Sequence, residues 1–146
     1  MLRTYVRPAG TASRTATRPP VRHDLSHMPR TVLIVDDHPS FRASARAMLE
    51  SAGFHVVGEA ANGASAIDAI GALDPGIVVL DVQLPDMTGF DLCAEICCGE
   101  GSIPDVILVS SRDRSDYGEL VSTSAARGFV PKAELSGDVI DALLEA

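Results

Sequence analysis

From residue 31 onward, short apolar runs that close on a polar residue alternate with longer stretches that are apolar at every third or fourth position. Thr31–Asp36 (T-V-L-I-V-D) and Ile77–Asp81 (I-V-V-L-D) are almost unbroken apolar runs ending in an acid. That is the pattern of strands buried on both faces. Val106–Ser111 (V-I-L-V-S-S) reads as a further strand, His55–Ala60 as a weaker, edge-like one, and Gly128–Lys132 as a short last one. Helical spacing fills the gaps. Pro39 suits a first helical turn, Phe41, Ala45, Met48, Leu49 and Ala52 share one face, and Gly53 ends the segment. Gly63–Leu73, Phe90–Cys97, about Ser115–Arg127, and Ser136–Glu145 are the other expected helices.

Five strand–helix units with two-face-buried strands imply an α/β fold with a parallel sheet covered by helices on both sides. Right-handed crossovers leave few topologies, and the doubly wound, flavodoxin-like order 2-1-3-4-5 is the natural one. Residues 31–146 are expected to form this one domain. Residues 1–30, with four prolines and little periodicity, read as a disordered Arg-rich tail. They also have the composition of an organelle transit peptide, or of a reading frame that overshoots a true start at Met28.

Charge sharpens this division. The first 30 residues hold six arginines against one acid, and the remainder holds 19 acids against six bases, a net charge of about −13. Such an acidic body repels phosphate backbones, so direct DNA binding is not expected of it. The core must be aliphatic, because there is no Trp and aromatics make up only 4% of the chain. Three clustered cysteines, Cys93, Cys97 and Cys98, do not make a disulfide framework and suit a reducing cytoplasm. Cys93 and Cys97 share a helical face, where they read more simply as small buried hydrophobes than as a metal or redox pair. No apolar run approaches membrane-spanning length, and the N-terminus lacks a secretory apolar region.

In a doubly wound sheet, ligands gather at the carboxyl ends of the strands, where strand order reverses. The sequence places Asp36, Asp37 and Asp81 there, with Ser110 ending the fourth strand and Lys132 the fifth. Three neighbouring carboxylates repel one another, and a hard divalent cation such as Mg²⁺ relieves that. An aspartate could then act as nucleophile toward a phosphoryl group, with Ser110 and Lys132 supplying positioning and charge. Any single acid at a strand end is more simply a loop residue or cap. The joint placement of all five carries the reading.

V-L-I-V-D-D-H, I-V-V-L-D-V-Q-L-P-D-M-T-G, V-I-L-V-S-S and G-F-V-P-K resemble, in order and spacing, the blocks of bacterial response-regulator receiver domains. The resemblance covers about residues 31–146. It implies that Asp81 is the phosphoacceptor, that Asp37 ligates Mg²⁺ directly, and that Asp36 does so through water. It further implies that Gln83 lends a backbone carbonyl to the metal, that Ser110 and Lys132 contact the phosphoryl group, and that Phe129 is the switch aromatic. Arg112 and Gln83 flank the phosphoryl position and are placed to tune water access. The implied partners are a histidine kinase or phosphotransfer protein and a downstream protein. The resemblance adds a phosphorylation-dependent homodimer through helix 4, strand 5 and helix 5.

Receivers with D-D-H after the first strand resemble those joined to helix-turn-helix output domains. Here the sequence ends at Ala146, so a stand-alone receiver or a piece of a longer regulator is expected. The expected activity is self-phosphorylation and self-dephosphorylation, not metabolic catalysis. A Mg²⁺-dependent aspartyl phosphatase would carry a second acid two residues after the nucleophile, where Gln83 stands. A flavodoxin-like cofactor binder would need a Ser/Thr/Gly-rich phosphate loop where Asp36-Asp37-His38 stands. A receiver-like interaction module that is never phosphorylated is the remaining rival.

Overall fold

A computed structural model describes residues 30–99 and 101–145. The expected tail, but for its last residue Arg30, lies outside the described residues. The elements run β1 (Thr31–Val35), α1 (Pro39–Ser51), β2 (His55–Ala60), α2 (Gly63–Leu73), β3 (Ile77–Asp81), α3 (Gly89–Cys97), β4 (Asp105–Ser110), α4 (Glu119–Ser122), β5 (Gly128–Pro131) and α5 (Gly137–Glu145). All strand pairs are parallel, and the sheet order is β2-β1-β3-β4-β5, as the pattern predicts.

Alternation along each strand divides the core into two layers. Val32, Ile34, Ile77, Val79, Ile107, Val109 and Val130 face Leu49 of α1 and Ile140 of α5. Leu33, Val35, Val78, Leu80, Val106 and Leu108 face Ala66 of α2 and Leu92, Cys93 and Ile96 of α3. Every residue of β3 is buried, which is why its sequence lacks a polar face.

Local chemistry sets the helix ends. Asn62 accepts the Ser65 N–H at 2.8 Å and forms a capping box at the start of α2. Asp74 ends that helix in the left-handed region, at φ 48°. Thr88 caps α3 by accepting the Asp91 N–H at 3.1 Å.

One expected element is different. The long helix over Ser115–Arg127 is a 3-10 turn, Arg114–Asp116, followed by the four-residue α4. Gly118 lies between them at φ 57°, a conformation no helix continues through. Beyond it, Thr123 Oγ1 donates to the Glu119 carbonyl at 2.8 Å and Ser124 Oγ to the Val121 carbonyl at 2.7 Å. The Glu119 carbonyl also accepts the Thr123 N–H at 2.9 Å, so the helical bond is kept there. The expected helix ends because the Arg127 N–H turns to the Val106 carbonyl of β4 at 2.8 Å. Smaller shifts occur at strand ends. Asp36 stands just past β1, and Lys132 opens a 3-10 turn, Lys132–Glu134, directly after β5.

Candidate functional site

The register brings the chemistry together. Val35 pairs with Leu80, so Asp36 and Asp81 leave adjacent strands at one level. Asp81 pairs with Val109, and Ser110 pairs with Pro131, which places Ser110 and Lys132 on the same edge. Asp36 is fully buried and Asp81 is 4% exposed. Carboxylates so far from water need compensation.

Asp36 receives it from three directions. Its Oδ1 accepts the His38 backbone N–H at 2.7 Å and lies 3.0 Å from His38 Nδ1. Its Oδ2 lies 2.6 Å from Lys132 Nζ. That buried ion pair is the charge compensation for Oδ2, which has no other polar partner. The Asp36 backbone carbonyl accepts from Arg42 at 2.7 Å. Arg42 and Arg46 also clasp Glu59, at 3.0 and 2.7 Å. The Arg46 hydrogen bond is the main cause holding the Glu59 carboxyl below its ordinary range.

Asp81 is less well compensated. Lys132 Nζ lies 3.7 Å from its Oδ2, over an ångström farther than from Asp36. Burial and then repulsion from Asp36 push its carboxyl up to about 6, against the opposing pull of Lys132 and the Gln83 backbone N–H. Lys132 also lies over the Phe41 ring, 4.4 Å from its centroid.

The loop after Asp81 is built close to it. Gly89 donates its N–H to the Val82 carbonyl. A Cβ at Gly89 would stand 2.3 Å from the Asp81 carbonyl oxygen, so only glycine fits there. Asp86 accepts the Gly63 and Ala64 N–H groups at 2.8 and 3.0 Å, tying the loop to the start of α2.

Asp36, Asp37, His38 and Asp81 each offer a ligand atom, and these atoms lie within 4.8 Å of one another. Hard carboxylate oxygens clustered this closely, with one ammonium shared between two of the acids, fit a divalent cation. By sequence, His38 stands out only as part of the Asp36-Asp37-His38 run. It stands at the N-cap of α1 without a side-chain capping bond, and its ring bridges Asp36 and Asp37, at 3.0 and 3.2 Å. Arg42 and Tyr117 were also missed. Tyr117 OH lies 2.6 Å from Ser110 Oγ, and its ring packs on Phe129 at 5.7 Å. No local pattern marks either residue, because their partners lie on other segments or across a turn.

Phe129 is half-buried and belongs to the second core layer. Burial pushes the Cys93 thiol up to about 12; all three cysteines are free, Cys93 buried, Cys97 half-buried and Cys98 exposed. Among the described residues, no helix is long and apolar enough to cross a membrane.

Known proteins agree with this geometry. The family model for the response regulator receiver domain matches residues 32–144. The virulence transcription regulator BvgA of Bordetella pertussis is 34% identical over 111 residues, covering 76% of this chain and 53% of the relative. The DNA-binding transcriptional activator EvgA of Escherichia coli K12 is 31% identical over 111 residues, covering 76% of this chain and 54% of the relative. This chain thus spans about half the length of these curated relatives. The receiver domain of the response regulator NarL from Mycobacterium tuberculosis superposes with a TM-score of 0.70 at 32% identity, over 80% of this chain and 94% of that one. The parallel sheet, the acidic cluster at its carboxyl edge and the family match converge: this chain belongs to the response-regulator receiver domains.

Proposed function

We propose that this domain is a phosphorylatable switch with Asp81 as acceptor. The observation that supports this most is the poorly compensated Asp81 carboxyl, buried at the end of β3 beside Asp36 and Lys132. Asp81 attacks the phosphorus of a phosphohistidine on a histidine kinase or phosphotransfer protein. An O–P bond forms, the P–N bond breaks, and the released imidazole takes a proton from solvent. Asp36, Asp37, Asp81 and the Gln83 carbonyl would hold Mg²⁺, which supplies neutralisation of carboxylate and phosphoryl charge.

The phosphoryl group adds about two negative charges and three strong acceptors. Lys132 then exchanges its close Asp36 partner for a phosphoryl oxygen, and Ser110 donates to another. Their movement pulls on β4 and β5 and lets Phe129 move inward. A downstream protein reads the altered α4–β5–α5 face in the cytoplasm, and a second copy of the chain is the competing reader. With a net charge of about −13 outside the first 30 residues, the body works through protein contact rather than by binding DNA itself. Its chemistry is confined to its own phosphorylation and dephosphorylation.

Incubation with acetyl phosphate and Mg²⁺, followed by intact mass, tests this. Wild type should gain one phosphoryl group, and Asp81→Asn should gain none. No added mass on wild type, or the same gain on Asp81→Asn, would overturn the assignment in favour of an unphosphorylated interaction module.

A further inference from the structure

Ser110 is 3% exposed and closes β4, so its hydroxyl has few partners to choose from. Its Oγ accepts the Arg112 backbone N–H at 3.0 Å and lies 2.6 Å from the Tyr117 phenol. A serine hydroxyl has one proton and two lone pairs. The Arg112 amide takes one lone pair, and the phenol takes either the other lone pair or the proton. Tyr117 is itself held in place. Its ring meets Phe90 of α3 edge-on at 5.5 Å and Phe129 of β5 at 5.7 Å. The chain around it is a 3-10 turn and Gly118, not a long helix, and this irregular path carries the ring back to the end of β4.

We propose that Tyr117 is a positioning residue that latches Ser110 in the unphosphorylated state. The proposal rests on the reading of Asp81 as phosphoacceptor. A phosphoryl oxygen on Asp81 competes with the phenol for the Ser110 hydroxyl. The latch therefore sets how readily the switch is thrown. It also links the two halves of the switch, because the ring released with the phenol is one on which Phe129 rests.

Tyr117→Phe removes one oxygen and keeps the ring. The probe is beryllium trifluoride with Mg²⁺, a stable phosphoryl mimic. If wild type binds no mimic and takes no phosphoryl group from acetyl phosphate, the acceptor reading fails and the latch with it. If wild type loads, Tyr117→Phe should bind the mimic about threefold to tenfold more tightly, the worth of one neutral hydrogen bond lost only from the free state. The gain should vanish when Ser110→Ala is added. An unchanged or weaker affinity, or the same gain without Ser110, overturns the latch while leaving the acceptor standing.

A second readout keeps Tyr117 in place. The chain has no Trp and two Tyr, so Tyr5→Phe leaves Tyr117 as the sole tyrosine emitter. Its emission should change when the mimic binds, and should not change in Tyr5→Phe combined with Ser110→Ala. Identical emission before and after loading overturns the proposal, even if Tyr117→Phe fails to fold.

Discussion

Replacing Asp81 with Asn should stabilise the metal-free protein, and the gain should depend on pH. The Asp81 carboxyl is raised from 3.8 to about 6 by burial first and by Asp36 second. A group raised in the folded state contributes stability below its unfolded pKa, and that stability is lost as pH rises through the folded value. Between pH 4 and pH 7 the folded protein must give up a proton that the unfolded chain has already released. Moving the carboxyl from 3.8 to about 6 corresponds to about 3 kcal/mol. Asparagine has nearly the same shape and carries no charge. Urea denaturation of both proteins in EDTA, at pH 4.5 and pH 7.5, isolates the difference, because every other titrating group is shared. About a third of that cost is already present at pH 4.5, so the stability gap in favour of Asp81→Asn should widen by about 2 kcal/mol at the higher pH. A gap that does not change with pH would refute the claim that Asp81 is strained by its charge. So would an asparagine variant less stable than wild type at pH 7.5, because it would give the Lys132 contact more weight than burial and Asp36 together.

Mg²⁺ should stabilise wild type against urea by about 1.4 kcal/mol at ten times its dissociation constant, and EDTA should reverse this. Asp37→Ala should abolish most of that increment, read by the same denaturation curves with and without the ion. Gly89→Ala should both destabilise the fold and abolish acetyl-phosphate labelling, since its Cβ would meet the Asp81 carbonyl oxygen at 2.3 Å. Normal labelling of a stable Gly89→Ala protein would contradict the close approach. Alkylation of the native protein by iodoacetamide at pH 8, read by peptide mass, should modify exposed Cys98 first and leave Cys93 unmodified until urea is added.

The order of elements, the sheet topology and the identity of the acidic cluster were legible in the sequence. Runs such as I-V-V-L-D are too apolar for any place but the centre of a parallel sheet. Once five such strands are ordered, topology alone sends Asp36, Asp81, Ser110 and Lys132 to one edge. These conclusions depend on periodicity and chain direction, which are local and additive. What the tertiary structure alone decided depends on distances between side chains from separate segments. It placed Lys132 nearer Asp36 than Asp81, turned His38 onto the acids, and anchored the Asp36 carbonyl with Arg42. It also broke the expected fourth helix at Gly118 and so brought Tyr117 to Ser110. The sequence suggested a helix through Arg127, but the Arg127 N–H bonds to the Val106 carbonyl of β4 instead of to a carbonyl one helical turn back. A competition of that kind is settled by which hydrogen bond is made in space, and residue spacing does not record its outcome.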